Sequence, residues 1–104
     1  MNDFDYAITL AQALDHYGIR AQVDMMIEEM AELTKALLKN RRDDVDKHFS
    51  VKNIREEIAD VKIMLAQMEM VFDAPKNKKK YGPNVNEIVA FKVKRLAERI
   101  ENND

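Results

Sequence analysis

Apolar residues recur at three- and four-residue intervals along most of this chain. Phe4, Ala7, Ile8, Ala11 and Leu14 mark one face of a helix over about Asp3 to Tyr17. Asn2 or Asp3 is placed to cap its start, and Gly18 to end it. A second stripe, Val23, Met26, Met30, Leu33 and Leu37, predicts a helix over about Ile19 to Asn40. "RRDDVDKHF" then loses the period and reads as a loop or a short extra turn. Ser50 is the expected cap of a third helix running to about Phe72, striped by Ile54, Ile58, Val61, Leu65, Met68 and Phe72. "DAPKNKKKYGP" interrupts with Pro75, Gly82 and Pro83 and reads as a loop. A fourth helix is expected from near Asn84 to near Glu101, where Asn84 and Glu87 have the spacing of a capping box. Its stripe of Val85, Ile88, Val89, Leu96 and Ile100 is broken by Lys92. No segment alternates with period two. The pattern predicts an all-α fold, a single domain over residues 1–104, with the second and third helices as its long central pair.

Composition narrows the chemistry. Gly and Pro number only two each, which favours long helices over a turn-rich β fold. The absence of Cys excludes disulfides, thiol nucleophiles and Cys-based zinc sites. No apolar run reaches membrane-spanning length, and the acidic start "MNDFDYAITL" lacks the features of a signal peptide. A cytoplasmic protein with no membrane partner is the expectation. Net charge is −2, but Lys76 to Arg99 carries eight basic residues against two acids, a local +6, leaving −8 for the remainder. An acidic middle and a basic C-terminal third suit a site where cations and an anion meet.

The acids are written twice. "EEMAEL", Glu28 to Leu33, returns 28 residues later as "EEIADV", Glu56 to Val61. At this offset the core stripes align, and so do Glu28 with Glu56, Glu29 with Glu57 and Glu32 with Asp60. On a helix Glu29 and Glu32 lie roughly 60° apart and flank the apolar stripe. Glu57 and Asp60 do the same on theirs. Packing the two helices antiparallel can therefore gather four carboxylates beside the core. Glu28 and Glu56 point further outward, into water or a supporting role. Like charges so placed repel one another unless a cation neutralises them. Carboxylate oxygens without His or Cys suit a hard divalent ion, Mg²⁺ first and Mn²⁺ second. A di-iron or di-manganese carboxylate bundle fits poorly, because it needs Glu-x-x-His. The two His residues, His16 and His48, instead follow Ala13 and Val45 by three.

These motifs resemble the MazG-type all-α nucleoside triphosphate pyrophosphohydrolases. That family pairs ExxE on one helix with ExxD on the next. Glu29 and Glu32 supply the first motif here and Glu57 and Asp60 the second, across a spacer of 24 residues. The similarity covers about Ala21 to Phe72, and the fourth helix more loosely. It implies a four-helix bundle completed by oligomerisation as a homodimer or homotetramer. It also implies Mg²⁺ held by Glu29, Glu32, Glu57 and Asp60, with Glu28 and Glu56 as further metal contacts or water-orienting groups in catalysis. The implied reaction is hydrolysis of an NTP or dNTP to NMP and pyrophosphate, for cleansing of nucleotide pools. A bound cation would neutralise phosphate oxygens and acidify water, or a carboxylate would act as general base.

The basic third offers candidates for phosphate and substrate binding: Lys78, Lys80 and Tyr81 in the expected loop, and Lys92 and Arg95 on the fourth helix. Tyr6, Tyr17 and Tyr81 are candidates to stack on a base. Where many relatives have an aromatic residue just after ExxD, this chain has "VKIML". The Met-rich positions suit an adaptable core or a subunit interface. Two other functions are open to this sequence. One is a non-catalytic module binding nucleic acid or an acidic partner through Lys76 to Arg99, in a salt-dependent, metal-independent way. The other is a structural bundle whose acids confer solubility.

Overall fold

A computed structural model describes residues 2–42 and 44–103. It is all-helical over these residues: α1 (Asp3–Tyr17), α2 (Ile19–Asn40), α3 (Lys47–Phe72), α4 (Pro75–Tyr81) and α5 (Val85–Glu101). The chain divides into two compact units, Met1–Met70 and Val71–Asp104.

In the first unit, α1 starts at a capping box. The Asn2 side chain accepts from the Asp5 N–H at 2.9 Å, and the Asp5 carboxylate accepts from the Asn2 N–H at 3.2 Å. Gly18 closes it with φ +91° and ψ 152°, a backbone conformation that an L side chain rarely adopts. Its N–H still bonds the Leu14 carbonyl at 2.9 Å. The chain thus turns a sharp corner without a linker, and α1 packs on α2.

α2 and α3 run antiparallel. Gln22, near the start of α2, hydrogen-bonds Gln67, near the end of α3. At the other end Lys35 and Lys39 share a groove with Phe49 and Asn53. The seam of α2 steps by four and three residues through Gln22, Met26, Glu29, Leu33, Ala36 and Asn40, all buried or half-buried, and Val23 beside it is half-buried too. That is the spacing of a coiled-coil seam. On α3, Ser50, Glu57, Met64 and Gln67 face inward. This seam is more polar than the apolar stripes led us to expect. Met30 and Leu37 remain 52% and 47% exposed, and on α3 Ile58, Leu65 and Phe72 are exposed too.

The start of α3 differs from expectation. Asp46, not Ser50, caps it, its Oδ1 accepting from the N–H groups of His48 and Phe49. Ser50 is a buried residue of the first turn. The connection is shorter than the expected 41–49, because residues 47–49 belong to α3; Asp43 lies outside the described residues. Lys47 donates from Nζ to the carbonyls of Asn40 and Arg42, closing the hairpin and placing a cation at the negative end of α2.

The second unit corrects another expectation. The stretch from Pro75 is not a plain loop, because Pro75–Tyr81 is helix α4. Proline at its first position has no N–H to lose and its φ suits a helix. Among the described residues the helices therefore number five, not four. Gly82, at φ +93°, ends α4, and Asn84 and Glu87 form the expected capping box of α5 at 2.9 and 3.2 Å. Asp73 adds a bond from the Val85 N–H at 3.0 Å. No described helix is long and apolar enough to cross a membrane.

Candidate functional site

Three of the four expected metal-ligating acids come together. Glu29, Glu57 and Asp60 each present a carboxylate oxygen, and these oxygens all lie within 4.8 Å of one another. The cause is local. Glu57 and Asp60 are one turn apart on α3 and share a face. Glu29 meets them because the register that opposes Gln22 to Gln67 carries the α2 seam past this part of α3.

Glu32 is the fourth acid. Its carboxylate lies outside the group of three, one turn further along α2, where it lines the neighbouring groove with Glu57. It still acts on the cluster electrostatically. Burial, then Asp60, Glu57, Glu32 and Glu28, push the Glu29 carboxyl above its ordinary value. Burial, then Asp60, Glu32 and Glu56, do the same for Glu57. Both acids are half-buried. Glu57 Oε2 is shut off from solvent and has no hydrogen-bond donor among the described residues. Such an oxygen in a field of like charge is a costly arrangement for a metal-free protein.

Glu28 and Glu56 are exposed beside the cluster. Each raises the pKa of its neighbour through charge, so neither is remote. Glu56 also borders a shallow cavity of about 320 Å³ with Lys52 and Arg55.

The basic candidates belong to the second unit. Lys78 is already paired there, its Nζ 2.8 Å from Glu87 Oε1. That contact, first, and the Asn84 N–H, second, hold the Glu87 carboxyl below its ordinary value. The Lys80 ammonium lies 5.3 Å from the ring centroid of Tyr81, in cation–π range. Lys92 and Arg95 are exposed on α5.

Two cavities of the first unit escaped the sequence reading. One, about 640 Å³, lies between α1 and α3 and is lined mainly by apolar atoms, with Tyr6, Leu10, Ile63, Ala66 and Met70 among them. Tyr6 thus borders a cavity, whereas Tyr17 stands edge-on to His16 at 4.6 Å. The other is a polar groove of about 270 Å³, where Lys35 and Lys39 join Glu32, Asn53 and Glu57. The i, i+4 spacing of the two lysines, just after Glu32, was the available signal.

Compared with models of protein families, with curated proteins and with solved structures, the chain matches none.

Proposed function

We propose that this chain is a Mg²⁺-dependent nucleoside triphosphate pyrophosphohydrolase. The observation that carries the reading is the convergence of Glu29, Glu57 and Asp60 from two helices onto one point. The all-oxygen donor set suits Mg²⁺, with Mn²⁺ as the alternative. The raised carboxyls and the orphaned Glu57 oxygen are features that a cation would relieve. Glu29, Glu57 and Asp60 would hold the ion, with Glu32 adjoining. When bound, the ion supplies positive charge against the phosphates and acidifies water.

The chain's own carboxylates do the rest. Glu28 and Glu56, exposed beside the cluster, would orient the attacking water and take its proton. Water adds to the α-phosphorus, the bond from that phosphorus to the bridging oxygen breaks, and NMP and pyrophosphate leave. An acidic site accepts a polyanion only together with cations, so substrate and metal are expected to bind interdependently. The exposed apolar side chains of α2 and α3 support a homodimer or homotetramer as the working form. A role in nucleotide-pool cleansing and a cytoplasmic location follow from this reading.

The test is direct. The protein is incubated with a panel of NTPs and dNTPs and Mg²⁺, and the products are resolved. NMP and pyrophosphate in equal amounts are expected. No turnover of any nucleotide would refute the proposal.

A further inference from the structure

The basic residues that sequence reasoning offered to the phosphates lie in the second unit, yet the first unit contains cations of its own beside the acids. Lys35 and Lys39 line the 270 Å³ groove together with Glu32 and Glu57. The one salt bridge among the described residues is Lys78–Glu87, so among those residues neither groove lysine has a carboxylate partner, although two acids share the groove. Across from them, Asn53 of α3 offers an amide with two N–H donors.

The groove also sits where the fold leaves polar atoms unanswered. The buried side-chain atoms without a hydrogen-bond partner among the described residues are Asn40 Oδ1, Ser50 Oγ and Glu57 Oε2. All three belong to the C-terminal end of α2 or the N-terminal half of α3, the same end of the hairpin as the groove. Ser50 is only 7% exposed and lies one turn before Asn53. Of the three, Glu57 lines the groove, and its unpaired oxygen is an acceptor that a cation at the acid end would answer.

Charge identifies the occupant. The α2 side runs from an acid, Glu32, to Lys35 one turn on and Lys39 a further turn on. The rise is about 4.5 Å to Lys35 and about 10.5 Å to Lys39. A ligand matching this order is cation-coated at the acid end and bare-anionic at the lysine end. We propose that the groove binds the pyrophosphate moiety of the substrate, with Lys35 and Lys39 holding its terminal phosphates and Asn53 donating an amide N–H to a phosphate oxygen. This rests on the reading of the acid cluster as the site of cleavage, and it sets the direction of the substrate. The α-phosphorus lies at Glu29, Glu57 and Asp60, and the leaving group extends toward the closed end of the hairpin. Lys35 and Lys39 then bind the departing product as well as the substrate.

The experiment titrates pyrophosphate with Mg²⁺ into the full chain by calorimetry, and measures pyrophosphate inhibition of nucleotide hydrolysis. Lys35→Gln/Lys39→Gln is compared with wild type, and Lys35→Arg/Lys39→Arg serves as the charge-retaining variant. The Gln pair is expected to weaken pyrophosphate binding at least about 30-fold and to raise its inhibition constant in parallel. The Arg pair is expected to restore most of both. Unchanged pyrophosphate binding in a Gln pair of wild-type helicity would overturn the groove assignment while leaving the proposed function intact. A wild-type chain that turns over no nucleotide, yet binds pyrophosphate through these lysines, would overturn the function and keep the groove.

Discussion

Gln22 donates from Nε2 to Gln67 Oε1 at 2.7 Å, and the two side chains, 8% and 2% exposed, are sealed between α2 and α3. This pair fixes the register that brings Glu29 to Glu57 and Asp60. Sliding one helix by a turn would leave both amides unpaired in the seam. Gln67→Leu alone strands the Gln22 donor and should cost about 1–3 kcal/mol in urea unfolding. Gln22→Leu/Gln67→Leu should recover most of that, because both polar groups are gone. Equal destabilisation by the single and double variants would show that the bond does not hold the register.

The acid cluster predicts an unusual pH response. Glu29 and Glu57 have pKa values above their ordinary 4.5 in the folded chain. The folded state therefore retains protons that the unfolded chain has already released. Their contribution to stability is greatest in acid and falls as pH rises from the ordinary carboxylate range through the raised one. Metal-free protein should lose thermal stability across that window, and Glu29→Gln should flatten the loss. The Tm increase produced by Mg²⁺ should grow over the same window, since only the ionised cluster binds the ion. A Mg²⁺ effect on Tm that is the same with and without Glu29 would count against the cluster as a metal site.

Substitutions should rank the acids. Asp60→Asn and Glu57→Gln each remove a member of the converging set and should lower pyrophosphate release by more than about 100-fold. Glu32→Gln, one turn from the cluster centre, should have a smaller effect. Full activity in Asp60→Asn would place the chemistry elsewhere.

α5 depends on its cap. Asn84→Ala removes the acceptor for the Glu87 N–H and should cost about 1 kcal/mol, read as helicity lost by circular dichroism. Glu87 adds an acid-side signature. Its folded pKa is lowered by Lys78, so its contribution is present above the ordinary 4.5 and disappears as pH falls through the lowered value. Glu87→Gln should abolish that acid-side loss.

The exposed apolar positions of the hairpin predict assembly. Ile58→Glu should shift the protein toward monomer in light scattering and lower activity with it. A wild-type protein that is monomeric at all concentrations, and active, would remove the need for a second copy.

The sequence showed α1 and α2 to the residue, because Asn2 and Gly18 are strong punctuation. It concealed α4, because three consecutive lysines beside a proline look like a loop, although Pro75 at a first helical position is an equally good start signal. It also misplaced part of the seam, although Met26 and Leu33 of the expected stripe do lie on it. Apolar periodicity follows Met30, Leu37, Ile58 and Leu65, whereas the helices meet through Gln22, Glu29, Ser50 and Gln67. A polar seam is invisible to a hydrophobic stripe, and apolar residues turned outward draw the stripe with them. The approach of Glu29 to Glu57 and Asp60 was legible because the repetition was independent of that error, whereas Glu32 lies outside the group. The lysine groove was not, since it forms only where the ends of α2 and α3 come side by side.

The corner at Gly18 has one more consequence. A β-carbon added there would meet no atom within 4 Å, so room is not what reserves the position for glycine. The torsion angles alone do so, and they discriminate by handedness. An L-alanine would be strained in open space, while its mirror image would find φ +91° natural. The junction of the first two helices is in that sense a chiral filter and not a steric one.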